Sequence, residues 1–182
     1  MIFLYKNLQK QHLSDYQIKK KLQDKTLYLV AKGLYSTEEK YDPLEVLVKK
    51  HPNVILTLET ACICYSLIKE EHTKYYVATK QKDRKIKDEN VKQIFMTDSL
   101  YSVGANVVTY KHYNIRIYDL ERLLIEVVRS KTNMEYEKYE QIINSYRKIS
   151  KLLNKDKINK YVNFFKDKRI EQRIKHEIFD EK

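Results

Sequence analysis

Breaker residues are scarce in this chain: 182 residues include two glycines, two prolines, two cysteines and no tryptophan. That scarcity argues against a loop-rich scaffold and for long regular elements joined by short turns. With only Gly33 and Gly104, a glycine-rich phosphate loop of the P-loop or dinucleotide type is excluded. Cys62 and Cys64 lie two apart, on different sides of a helix, so neither a disulfide nor a zinc site is expected. No apolar run approaches the roughly 20 residues of a membrane span, and the opening Met-Ile-Phe-Leu-Tyr-Lys is too short for a signal-peptide core. A cytoplasmic protein with no membrane partner is expected.

What the chain has in abundance is positive charge and tyrosine: a formal net charge of +11 and 16 tyrosines. The location of the charge matters more than its size. Lys and Arg outnumber Asp and Glu by seven to two over residues 1–36, fifteen to fourteen over 37–130, and fourteen to nine over 131–182. Basic ends flanking a balanced middle suit a polyanion, nucleic acid first. The competing explanation is solubility alone.

Ser14-Asp15-Tyr16-Gln17 has the form of a capping box, so a helix is expected to start there, with Ile18 and Leu22 on its inner face. The β-prone Leu27-Tyr28-Leu29-Val30 then meets Lys32-Gly33, a tight turn that calls for positive φ at the glycine. Helix followed by hairpin is the order of a winged helix. Asp42-Pro43 starts a helix that stops near His51-Pro52. Thr57 is positioned to cap a helix running to Leu67, after strand-like Val54 to Leu56. Tyr75 to Ala78 and Val91 to Phe95 read as paired strands around the charged segment 80–90. Asn106 to Tyr110 and Ile115 to Tyr118 read as a hairpin turning at His112-Tyr113-Asn114.

The strongest helical stripe follows Asp119: Leu120, Leu123, Leu124, Val127 and Val128. In the tail, Ile142, Ile143, Tyr146, Ile149, Leu152 and Leu153 are expected on one buried face, with Ile158 to Phe165 and Ile170 to Phe179 as further helical pieces. The fold class is therefore α+β: a short winged-helix-like N-terminal module over 1–40, then a mixed α/β domain over 41–182 with a small sheet and C-terminal helices.

Catalytic patterns are sparse. The histidines (His12, His51, His72, His112, His176) are dispersed, and no serine has the glycine flanks of a hydrolase elbow. Asp119 and Glu121 admit a nuclease-like metal reading, but acids at a helix start are common, and a structural role is expected, with Arg122 pairing back to the sheet. No enzyme, no metal and no cofactor are expected. The DNA-contacting candidates are Tyr16, Gln17, Lys19, Lys20, Lys21 and Lys25 on and after the first helix, with Lys32 at the hairpin tip. The alternative for a lysine triplet is a solvated helix face. Lys80, Lys82, Arg84, Lys85 and Lys87 form a second basic segment, read by default as a mobile solvated loop.

Three segments in order carry a family resemblance: Leu29-Val30-Ala31-Lys32-Gly33-Leu34-Tyr35, Leu58-Glu59-Thr60-Ala61, and Ile115-Arg116-Ile117-Tyr118-Asp119-Leu120-Glu121-Arg122. Through them the chain resembles the AbiEi-like antitoxins of type IV (abortive infection) toxin-antitoxin systems. The matching positions are Gly33 and Tyr35 in the wing and Tyr118, Asp119, Glu121 and Arg122 before the amphipathic helix. The resemblance implies an antitoxin and transcriptional autorepressor in phage defence. Its partners would be the promoter DNA of its own operon and a cognate nucleotidyltransferase-like toxin, with a homodimer left open. The N-terminal module is about 15 residues shorter than a usual winged helix-turn-helix. The alternatives are an antitoxin acting by direct protein-protein binding without DNA reading and, below that, a metal-dependent nuclease.

Overall fold

The computed structural model describes residues 1–70 and 72–180. It is α+β and divides into two compact units, Met1–Asn53 with Lys111–Tyr113, and Val54–Tyr110 with the residues from Asn114 onward. Among the described residues no helix is long and apolar enough to cross a membrane.

The first unit opens with two elements not anticipated from the sequence, strand β1 (Ile2–Leu4) and helix α1 (Tyr5–Lys10). Both were hidden because each is too short to display a full period. Helix α2 (Asp15–Gln23) starts at the expected capping box: Ser14 N–H donates to Gln17 Oε1 at 2.8 Å and Gln17 N–H to Ser14 Oγ at 3.3 Å. Strands β2 (Tyr28–Ala31) and β3 (Leu34–Ser36) follow, and all pairing is antiparallel in the order β1-β3-β2. Leu8, Ile18 and Leu27 form the core between helices and sheet, with Phe3, Tyr5, Leu13, Leu22 and Tyr35 packed around them. Gly33 takes φ +76° in the β2–β3 turn, the left-handed conformation that favours glycine.

Helix α3 (Pro43–Lys50), capped as expected by Asp42, belongs to this first unit. The unit therefore ends at Asn53, not at residue 40. The cause is a backbone clasp on β1: Ile2 N–H donates to Glu45 Oε1 at 3.0 Å, and Lys49 Nζ donates to the Ile2 carbonyl at 2.6 Å. Within the same unit Asp42 also accepts from Lys111 Nζ and the Tyr113 hydroxyl, and His112 faces Glu45 at 3.1 Å.

The second unit is built on a five-stranded sheet in the order β6-β5-β4-β8-β7. Its strands are β4 (Ile55–Leu56), β5 (Tyr75–Lys80), β6 (Val91–Met96), β7 (Ala105–Tyr110) and β8 (Tyr113–Tyr118). β4 runs antiparallel to β5 and parallel to β8, and β5 and β6 are parallel, joined by a crossover over 81–90 that contains no helix. The helices are α4 (Leu58–Cys64), α5 (Asp98–Tyr101), α6 (Leu120–Arg129), α7 (Tyr136–Lys148), α8 (Lys155–Phe165) and α9 (Lys168–Ile174), the last prolonged by a π-helical turn over Lys175–Phe179. Ile117, Leu123, Leu124, Val127, Ile142 and Tyr146 are fully buried in its core.

Several sequence-based boundaries shift. The β7–β8 turn is Lys111-His112, with Lys111 at φ +53°, and Tyr113 already belongs to the strand. Helix α4 stops at Cys64, and the Thr57 side chain makes no capping bond because Leu58 enters the helix at φ +44°. Asn154 caps α8 by accepting from Lys157 N–H at 3.0 Å. Leu152 leaves the buried stripe: a 3-10 turn over Ser150–Leu152 breaks the helical period after α7 and exposes it by 78%.

The two glycines should respond differently to alanine. A Cβ at Gly33 meets nothing within 4 Å, so Gly33→Ala should cost only the left-handed penalty of about 1–2 kcal/mol. At Gly104, φ +74°, it would stand 2.5 Å from Arg122 Cβ, so Gly104→Ala should cost about 3 kcal/mol or more. Urea denaturation of both variants checks the order, and equal losses would contradict the packing at Gly104.

Candidate functional site

Two sets of residues singled out from the sequence take opposite roles in the structure. The Tyr118–Arg122 set is turned inward. Arg122 is fully buried, and its Nε and Nη2 donate to Glu126 Oε1 at 3.0 and 2.6 Å. Its Nη1 donates to the carbonyls of Leu100 and Val103 at 3.1 and 3.4 Å. The guanidinium also lies over the Tyr118 and Phe165 rings at 4.6 and 4.5 Å from their centroids. Its ion-pair partner is thus Glu126, one turn along the same helix; its link to the sheet is the Tyr118 ring.

Asp119 caps α6 by accepting from Arg122 N–H at 2.9 Å, and its other oxygen accepts from Tyr161 Oη at 2.9 Å. Lys157 Nζ sits 3.1 Å from both Asp119 and Glu121, an ammonium bridging two carboxylates where a cation site would need to be vacant. Glu121 also accepts from Asn154 N–H at 3.1 Å. Burial alone would raise the Glu121 carboxyl; the Asn154 amide and Lys157 overcome it and hold it below its ordinary value. The tyrosines point the other way, since burial pushes both Tyr65 and Tyr161 up to about 12. The hydroxyls of Tyr118, Tyr65 and Tyr146 donate to the carbonyls of Tyr101, Tyr118 and Leu120. Among the described residues no group of three or more His, Cys, Asp or Glu is arranged to hold a metal ion.

The α2 set is turned outward. Tyr16, Gln17, Lys19, Lys20, Lys21, Lys25 and Lys32 are all exposed, Tyr16 by 76%. At about 100° per residue, Tyr16, Gln17, Lys20 and Gln23 occupy the face opposite the Ile18/Leu22 seam, while Lys19 and Lys21 form its two borders. The Gln17 side-chain oxygen is engaged in the cap, accepting from Ser14 N–H. Gln23 was missed from the sequence, although its spacing of seven from Tyr16 and three from Lys20 is the signal that finds it. Lys25, at φ +53°, lies beyond the helix end, and Lys32 lies at the hairpin turn.

No protein-family model matches the chain. No curated protein matches it either.

Two outcomes test the buried cluster. Arg122→Met leaves the buried Glu126 carboxylate to Arg129 alone, 3.2 Å away, and should cost about 3 kcal/mol, with Arg122→Lys recovering little because an ammonium cannot reproduce the planar fork. A loss below about 1 kcal/mol in denaturant titration would contradict this.

The Glu121 carboxyl is depressed on folding, so its contribution is present above the unfolded value of 4.5 and lost as pH falls through the lower folded value. Glu121→Gln should therefore flatten the acid limb of the stability profile below that pH and leave the slope near neutrality unchanged. An acid limb as steep as that of the unsubstituted protein would show that Glu121 does not titrate with folding.

Proposed function

We propose that the chain is a DNA-binding autorepressor and antitoxin of the AbiEi-like type, using α2 to engage the promoter of its own operon. The observation that carries the DNA half is the exposed polar face of α2, bordered by lysines and followed by the β2–β3 hairpin with Lys32 at its tip. A helix with hydrogen-bonding side chains at its centre and cations at both borders suits a groove: Tyr16, Gln17, Lys20 and Gln23 approach base edges while Lys19 and Lys21 take the phosphates on either side. The chain order β1-α1-α2-β2-β3, closed by an antiparallel sheet, supports reading this unit as a shortened winged helix. The antitoxin half rests on the resemblance at Gly33, Tyr35 and Tyr118–Arg122.

A second reading, neutralisation by direct protein binding, is favoured by a groove of about 650 Å³ in the second unit. Leu67, Ile68, Leu120, Ile149 and Leu152 line it, Lys69 and Lys148 add charge, and among the described residues no acidic side chain lines it, so it fits an acidic partner segment with apolar anchors.

Combined reversal of Lys19, Lys20 and Lys21 to Glu should weaken binding to a promoter duplex at least tenfold. It should also reduce the magnitude of the slope of log affinity against log salt by about 2, near 0.9 for each of the phosphate contacts of Lys19 and Lys21. Fluorescence anisotropy with the upstream region of the gene measures both. Undiminished duplex binding would remove α2 from the interface. A variant that no longer binds DNA yet still relieves toxicity of the neighbouring gene would assign neutralisation to protein contact.

A further inference from the structure

The crossover over 81–90 is solvated, as its composition suggests, but its backbone is bonded to the sheet. It is braced from below by the side chain of Gln93 on edge strand β6: Oε1 accepts from Ile86 N–H at 2.8 Å, and Nε2 donates to the Arg84 carbonyl at 3.2 Å and to Thr79 Oγ1 at 2.8 Å. Two of its acids are turned to the backbone. Asp83 accepts from Lys80 N–H at 2.9 Å and Asp88 from Asn90 N–H at 3.0 Å. The exposed charges of the loop are four cations, Lys82, Arg84, Lys85 and Lys87, and three acids, Asp83, Asp88 and Glu89, of which Asp83 and Asp88 are turned toward backbone amides. Phe95 is 46% exposed, although aromatic side chains are ordinarily withdrawn from water. It shares the sheet face of Gln93, two residues on and about 7 Å along the strand, so it stands beside the braced loop.

We propose that this loop and Phe95 form a binding site for single-stranded nucleic acid. Cations fixed on a braced backbone can follow a phosphate chain, and a neighbouring exposed ring offers a stacking surface that every base can use. Stacking selects single strands, since bases within a duplex already cover one another. The site lies in the second unit, shares no residue with α2, and does not depend on the duplex-binding reading above.

The test is fluorescence anisotropy of the full chain with a labelled oligothymidylate of about 12 nucleotides. Binding should weaken with salt at a log-log slope of about −3, four cations at about 0.7 each. Joint replacement of Lys82, Arg84, Lys85 and Lys87 by Gln should reduce affinity at least tenfold. Phe95→Ala should reduce it about tenfold while Phe95→Trp retains it. Reversal of Lys19 to Lys21 should leave oligothymidylate binding intact. No binding at low salt, equal binding by the loop variant, or loss confined to the α2 variant would each overturn the proposal. So would an unchanged affinity in Phe95→Ala with heparin competing fully, which would mark a plain polyanion surface.

Discussion

Among the described residues of the second unit, Arg122 is the one fully buried cation, and the packing is organised around it. A guanidinium remains charged at any pH the protein meets, and removing it from water costs several kcal/mol unless its donors are satisfied. Arg122 meets that demand with partners drawn from separate segments: Glu126 on α6, the Leu100 carbonyl on α5, the Val103 carbonyl before β7, the Tyr118 ring on β8 and the Phe165 ring at the end of α8. Satisfying one side chain thus fixes the approach of strand β8 and of helices α5 and α8 to α6. Gly104 is part of the same constraint, because the Arg122 stem occupies the space where any other residue would place its Cβ, and the Gly104 carbonyl accepts from Asp119 N–H at 2.7 Å. A chain with only two glycines uses one of them here and the other at the hairpin of the first unit.

The two charged motifs differ in where their polar atoms are used. In Tyr118–Arg122 the hydroxyl, both carboxylates and the guanidinium are engaged by other parts of the fold, with a lysine bridging the acids. Such a motif specifies structure, and resemblance at these positions speaks to a shared fold before any shared chemistry. In α2 the cap and the Ile18/Leu22 seam complete the helix with Tyr16, Lys20 and Gln23 left over. Polar groups that the fold does not require are where recognition is sought.

Legibility in the sequence followed the strength of local signals. The capping box at Ser14, the Asp42-Pro43 start, the glycine turn and the amphipathic stripe after Asp119 each combine a turn or cap residue with a periodic run, and each appears in the structure. β1 and α1 were not legible, because three and six residues carry too little pattern, and β1 forms only through pairing with β3 and the clasp of Glu45 and Lys49. The unit boundary was misplaced for the same reason, since that clasp joins positions more than forty residues apart in sequence. Leu152 was assigned to the core by extending a helical period that a 3-10 turn interrupts. For the α2 face, Gln23 was recoverable from spacing alone; for Arg122, burial was not, because its partners on α5 and α8 are distant in sequence.

Charge bookkeeping along the chain shows a related limit. Residues 37–130 are nearly balanced in sum, yet their acids and bases are not placed alike. Asp42, Glu45, Asp119, Glu121 and Glu126 accept from backbone amides, lysines or arginines within the fold, and Asp83 and Asp88 cap their own loop. The first five are held in hydrogen-bonded pairs within the fold, whereas Asp83 and Asp88 stay exposed beside Lys82, Arg84, Lys85 and Lys87. Among the described residues of this nearly balanced stretch, Glu45, Asp119, Glu121 and Glu126 are buried against Arg122 alone of the bases, so its exposed charge is more positive than its sum.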